Sequence, residues 1–323
     1  MSTVTEAQIN LNTFGSEERD RKAYPLSEEL YPLNAGTPRE LAFWKSQTGI
    51  QDEEGLKKHI IKVQAEAHAL FPYGCIVIFA FLYFRIPRIP GYDQLLKLGR
   101  GRPDAILLDV GCCFGTDARK AASDGWPATN IVATDLQPEF WDLGHKLFCS
   151  NNETFPATFI PGDVLDPTHL EVAPVSYDPA EVKTLAPTLS SLSSLNPLRG
   201  HVSAIHAGAF LHLFSEEQQT QVMRAFASLL SPEPGSMILG SQSGAREKGT
   251  HVVVTGRNGA TVSQFAHSPE SWKELVEGHI FKKGTVKVEA VLIEEQFKRH
   301  PGHGRAGTQQ PAYYTLAWSV TRL

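Results

Sequence analysis

Cysteine is scarce in this chain, with 4 residues among 323: Cys75, Cys112, Cys113 and Cys149. Neither their number nor their spacing suits a disulfide scaffold or a zinc site, so no metal is expected and a reducing compartment fits. The adjacent Cys112 and Cys113 read as small residues filling a turn. A basic excess is missing too. The 30 lysines and arginines face 35 acids, for a net charge of −5. No Lys/Arg-rich run concentrates the positive charge, which argues against nucleic acid and anionic membranes as partners. The most apolar run, Ala69 to Phe84, contains Pro72 and Gly74 and falls short of the roughly 18 residues that suggest a membrane-spanning helix. The start, MSTVTEAQIN, has neither the basic residues nor the apolar centre of a secretory leader. A cytoplasmic protein without a membrane span is the expectation.

Internal repeats are absent, and no Ser-His-Asp or paired-carboxylate spacing marks a hydrolase. What the chain does have is AILLDVGCCFGTDARK, residues 105–120. A short apolar run ends in Asp109 and passes through Gly111 and Gly115 into a segment opening with Thr116 and Asp117, both good helix N-terminal residues. Strand, tight turn and helix follow one another. Such a turn lets backbone approach a ligand closely, and the amides at the helix N-terminus favour a negative group. The dinucleotide fingerprint G-x-G-x-x-G is missing. The spacing here is G-x-x-x-G, which weakens a dehydrogenase reading.

Around this turn the chain alternates. Residues 1–22 are polar and expected to be loose. Thr37, Pro38, Arg39 and Glu40 start a helical stretch over 38–70, with Leu56, Ile60, Ile61, Val63 and Ala67 on one face. The aromatic, proline-punctuated 71–92 segment is expected to bend over something apolar, and Tyr92 to Leu98 to form a short helix. Strands are predicted at 105–110, 131–133, 157–160, 201–207 and 236–239, with helices at 116–124, 138–148 and 216–230. That rhythm means an α/β fold with a parallel sheet and right-handed crossovers. Residues 181–195 are a weaker helix prediction within a proline-rich stretch. A helix over 269–276 and strands over 286–293 and 312–320 close the chain, with 298–310 as a mobile turn.

Ligands of such sheets sit beyond the carboxyl ends of the strands. Asp135 lies there, 20 residues after Gly115, where a carboxylate can accept hydrogen bonds from both ribose hydroxyls. Asp163 ends the third strand and is followed by Val164. With Asp109 these make three acids at three successive strand ends, a field suited to a sulfonium cation. The fourth-strand text IHAGAFLHLF brings His206, Phe210 and His212 to the same edge. A histidine there is able to take a proton from a phenol or to orient a carboxylate.

The turn resembles the first motif of class I S-adenosylmethionine-dependent methyltransferases, with Cys113 where that family has its middle glycine. LLDVGCCFG, ATDLQPEFWDLG, HAGAFLHLF and, more loosely, FPYGCIVIFAFL resemble a fungal group of secondary-metabolite methyltransferases acting on meroterpenoids derived from dimethylorsellinic acid. The likeness covers about Thr37 to Gly244. It implies a Rossmann-like fold: a seven-stranded, mostly parallel sheet with an antiparallel closing strand. Residues 1–100 would be a helical N-terminal extension serving as a substrate lid, and 101–323 the methyltransferase domain. S-adenosylmethionine would contact Asp109, Gly111, Cys112, Gly115, Asp135, Leu136, Asp163, Val164, His206 and Ala207. Trp44, Tyr73, Phe79 and Phe210 would receive an apolar acid. The implied reaction is methyl esterification of a prenylated polyketide carboxylate. Beside it stand a phenol O-methyltransferase with His206 or His212 as base, and a cofactor-binding scaffold without catalysis. Ile76, Val77 and Ile78 depart from the more polar text expected after Cys75. The apolar face of the helical prefix also suggests a homodimer.

Overall fold

The computed structural model describes residues 25–34, 36–254, 261–295 and 313–323. The expectations for residues 1–22 and for the 298–310 turn therefore lie outside the described residues. Two compact units divide the chain: the first runs to Tyr83 and takes in two short later segments, and the second, beginning at Phe84, holds most of the rest.

In the first unit the predicted 38–70 stretch is two helices, α1 (Pro38–Thr48) and α2 (Glu53–Leu70). Gly49 separates them: it caps α1 in the left-handed conformation, φ 73°, which glycine adopts without a Cβ penalty. Asp52 then caps α2 by accepting from the Gly55 amide at 2.7 Å. Leu56, Ile60, Val63 and Ala67 of α2 are fully buried, as their helical spacing demands. Gln64, buried on the same helix, donates to the carbonyls of Ile76 and Val77. The 71–84 segment is short turns, a helical one at Gly74–Val77 and a 3-10 one at Ala80–Leu82. The Trp44 indole donates to the Leu82 carbonyl at 3.0 Å.

The second unit starts with α3 (Tyr92–Gly101) and carries the sheet. Its strands are β1 (Ile106–Val110), β2 (Ile131–Thr134), β3 (Thr158–Phe159), β4 (Val202–Gly208), β5 (Met237–Gly244), β8 (Val286–Glu295) and β9 (Tyr313–Arg322), in the order β3-β2-β1-β4-β5-β9-β8. β1 to β5 run parallel, and β9 pairs antiparallel with both β5 and β8. The sheet is seven-stranded and mostly parallel with one antiparallel strand, as the resemblance implied. Crossovers run through α4 (Thr116–Ser123), α5 (Pro138–Leu147) and α6 (Glu216–Leu229), with α7 (Pro269–Leu275) before β8. β1 and β2 are buried along their whole length, which matches their continuous apolar text.

Three segments differ from expectation. No helix forms over 181–195; 3-10 turns occupy Pro179–Glu181 and Leu189–Ser191. Pro187 in the middle lacks an amide donor and pushes its predecessor out of the helical region, and Leu185 is left 93% exposed. β5 runs on through Gly240–Gly244, small polar text that reads as a loop. It pairs with β9 along its whole length, and the buried Gln242 there accepts from the Trp318 indole and donates to Gln219. A separate hairpin, β6 (Gly249–Val254) with β7 (Thr261–Ala266), had no counterpart in the sequence reading.

Candidate active site

The turn after β1 is built from backbone. The amides of Gly111 and Cys112 both donate to the Thr134 carbonyl of β2, at 2.9 and 3.2 Å, and the Gly115 amide to the Cys112 carbonyl at 2.7 Å. Gly111, Cys113 and Gly115 have φ of 67°, 49° and 69°. Cys113 thus occupies a left-handed position with a side chain, a strain on the order of 1 kcal/mol. Asp135 offsets it: its Oδ2 accepts from the Cys113 amide at 2.8 Å and its Oδ1 from the Gln137 amide at 3.1 Å. The acid expected to face a ribose also fastens the glycine turn.

The two unusual texts, GCCFG and EFWDLG, interlock. A Cβ on Gly144 of α5 would lie 2.4 Å from the Phe114 carbonyl oxygen, so that helix approaches the turn as closely as only glycine allows. Phe114 and Phe140 meet edge to face at 5.8 Å. Arg119 of α4, 2% exposed, donates to the Phe114 carbonyl and lies against the rings of Trp141, Phe148 and Phe155. Burial lowers its pKa to about 9. With no carboxylate partner among the described residues, this arginine is held by cation–π contact and by hydrogen bonds to the Phe114 carbonyl, His145 and Ser150. Sequence reasoning missed this clamp, and nothing in the local text signals it.

On the other side of β1, His206 of β4 bonds through Nδ1 to Asp109 Oδ1 at 2.7 Å. Both are buried. Burial alone pulls His206 down, but the Asp109 hydrogen bond and charge outweigh it and the net shift is upward. The bond to Asp109 leaves Nε2 as the other face of the ring, and that atom has no hydrogen-bond partner among the described residues. His212, after β4, is pushed down to about 4 by burial and then by the Arg85 charge, so it is neutral at pH 7. Its Nδ1 is likewise buried and unpartnered among the described residues. Phe210 lies on Gly111, where a Cβ would come within 2.4 Å of its ring, and stands edge to face with Phe214 at 5.1 Å. Ala209 between them takes a left-handed φ of 53°.

The third acid follows β3. Asp163 Oδ1 accepts from the Leu165 amide at 2.9 Å, Val164 is buried, and the Gly162 amide donates to the Asp135 carbonyl at 3.0 Å. Of the three strand-end acids, Asp135 and Asp163 keep part of their surface exposed, whereas Asp109, 3% exposed, is buried against His206. The reason is charge: a carboxylate this deep needs a hydrogen-bonding partner.

Trp44, Tyr73 and Phe79 belong to the first unit. Within it Trp44 and Phe79 are fully buried, and Phe79 packs on Tyr31 and Phe81. Tyr73 stacks on Phe71 at 4.1 Å. Among the described residues no group of three or more His, Cys, Asp or Glu is placed to hold a metal ion.

Residues 30–82 match a family profile described as meroterpenoid methyltransferase N-terminal domain. Across 253 residues the chain is 32% identical to the O-methyltransferase phiE of a fungal species (strain ATCC 74256), covering 77% of this chain and 74% of that one. It is 30% identical to the methyltransferase ausD of Penicillium brasilianum over 268 residues, 82% of each chain. With the methyltransferase trt5 of Aspergillus terreus it shares 30% identity over 272 residues, 84% of each.

Proposed function

The chain belongs to the fungal secondary-metabolite family of class I S-adenosylmethionine-dependent methyltransferases, and from that premise we propose that it forms a methyl ester on the carboxylate of a prenylated polyketide. The residues at the strand ends suit the cofactor. Asp135 spends one lone pair of each oxygen on an amide and keeps the others for two ribose hydroxyls. Asp163 keeps Oδ2 for an adenine amino group, with Val164 as an apolar wall. Gly111 and Gly115 hold a turn that leaves room for a methionine moiety, flanked by Cys112, Leu136 and Ala207.

When bound, S-adenosylmethionine supplies an electrophilic methyl, which the acceptor oxygen takes as the C–S bond breaks and its electron pair stays on sulfur. The protein's part is to orient, align and exclude water. A carboxyl group with an ordinary pKa of about 4 is ionised at neutral pH, so this acceptor needs no base. The observation that carries the acceptor class is the match of residues 30–82 to the meroterpenoid methyltransferase domain.

A second reading rests on a different observation. The Asp109–His206 bond fixes one tautomer and leaves Nε2 unpartnered, an arrangement able to deprotonate a phenol. A farnesylated hydroxybenzoic acid carries both acceptors in one molecule. Incubated with the enzyme and methyl-labelled S-adenosylmethionine, it should yield the methyl ester. An aryl methyl ether as sole product would favour the phenol reading, and no transfer with intact cofactor binding would favour a scaffold.

A further inference from the structure

Arg85 stands out as a charged side chain without an ion-pair partner among the described residues. It is half-buried, and its guanidinium has no hydrogen-bond or ion-pair partner among the described residues. Its backbone, by contrast, is tied down. The amides of Arg85 and Ile86 both donate to Asp117 Oδ1, each at 3.0 Å, at the first turn of α4. Oδ1 of that carboxylate thus accepts from main chain, and the guanidinium makes no bond to Asp117.

The side chain runs toward the end of β4. A Cβ on Gly208 would lie 3.6 Å from Arg85 Cδ and 3.0 Å from His206 Nε2, so the bare face of this glycine looks onto both. Arg85 is also close enough to act electrostatically on His206 and His212. Around this point His212 is neutral, Asp109 bonds to His206, and Asp117 takes the amides of 85 and 86 on Oδ1 while its charge also acts on His206, so neither acid forms an ion pair with Arg85. Leaving a cation partly desolvated and unpaired costs free energy, unless something that binds there supplies the negative charge.

We propose that Arg85 is the anchor for the acceptor's carboxylate, its planar guanidinium pairing with the two oxygens while His206 Nε2 faces the same space. This rests on the carboxyl-methylation reading above and gives that reading a residue. Arginine suits the task because its fork of N–H donors matches a carboxylate bidentately, which orients the oxygens as well as holding them. In sheet order β4 lies across β1 from β2 and β3, so the anchor is separated from the acids assigned to ribose and adenine. Esterification removes the charge that Arg85 holds, and the neutral product loses its ion pair.

Calorimetric titration of the full-length protein with a farnesylated benzoic acid and with its primary amide tests this directly. Wild type should bind the acid at least about tenfold more tightly than the amide. Arg85→Gln should abolish that preference and Arg85→Lys retain part of it, with S-adenosylhomocysteine affinity unchanged in both. Circular dichroism checks that both variants fold. A wild type without the preference, or a preference surviving in Arg85→Gln, overturns the proposal. So does a tenfold or greater loss of S-adenosylhomocysteine affinity in Arg85→Gln, which would give the arginine to the cofactor's own carboxylate. The acid and amide titrations are run without cofactor, so a wild type that failed to bind S-adenosylhomocysteine would count against the cofactor reading alone.

Discussion

Cys113 carries a side chain in a backbone conformation that favours glycine, and the Asp135 carboxylate holds it there through its amide. Replacing Cys113 by Gly should therefore leave stability unchanged or raise it by up to about 1 kcal/mol, read from urea midpoints. Gly111→Ala should behave oppositely. It combines a φ of 67° with a Cβ 2.4 Å from the Phe210 ring, and a loss of about 2 kcal/mol is expected. Asp135→Asn tests the double role of that acid. One side-chain oxygen becomes an NH2 that cannot accept from Cys113 or Gln137, and the proposed ribose contact goes with it. S-adenosylhomocysteine affinity should fall about 10- to 100-fold by calorimetry, with a lowered melting temperature.

Where a residue fixes a turn, an element fixes how near the turn may come to its neighbours. Helix α5 meets the Phe114 carbonyl across Gly144, and this neighbour is backbone, which does not swing aside as a ring does. Gly144→Ala should cost roughly 3 kcal/mol and weaken S-adenosylhomocysteine binding together with stability, because the helix must move away from the turn proposed to hold the cofactor. The elements themselves were largely legible. Apolar runs ending in Asp109 and Asp135 announced β1 and β2, and Ser215 with Gln218 forms the capping box that opens α6. Less legible were elements whose cause is tertiary. β5 continues through Gly240 to Gly244 because Trp318, β9 and Gln219 satisfy it, none of which its local text displays. At the site, the strand-end positions of Asp135 and Asp163 followed from strand logic. The Asp109–His206 bond spans 97 positions of sequence, and the Arg119 cage draws on three rings from beyond its own helix. Pattern reading has no access to pairings at that range.

Titration acts on the molecule as a whole. Burial lowers the pKa of His145, His169, His201, His212 and His267, the last two to about 4, and among the described residues only His206 is shifted upward. A histidine whose folded pKa lies below its unfolded value stabilises fully above about pH 6.5, and that contribution is lost as pH falls toward the folded value. The melting temperature should therefore drop between pH 7 and pH 5, and His267→Asn, at a position 1% exposed, should make that drop shallower. Among the described residues no helix is long and apolar enough to cross a membrane.

The strand-end acids of β2 and β3 are proposed to receive an adenosyl group. A crystal structure with S-adenosylhomocysteine bound measures this most directly. The ribose hydroxyls should rest on Asp135, the adenine amino group on Asp163, and the sulfur should face the side of β1 that carries His206 and Arg85. Ligand seated away from Asp135 and Asp163, or a site left empty at saturating ligand, would contradict it.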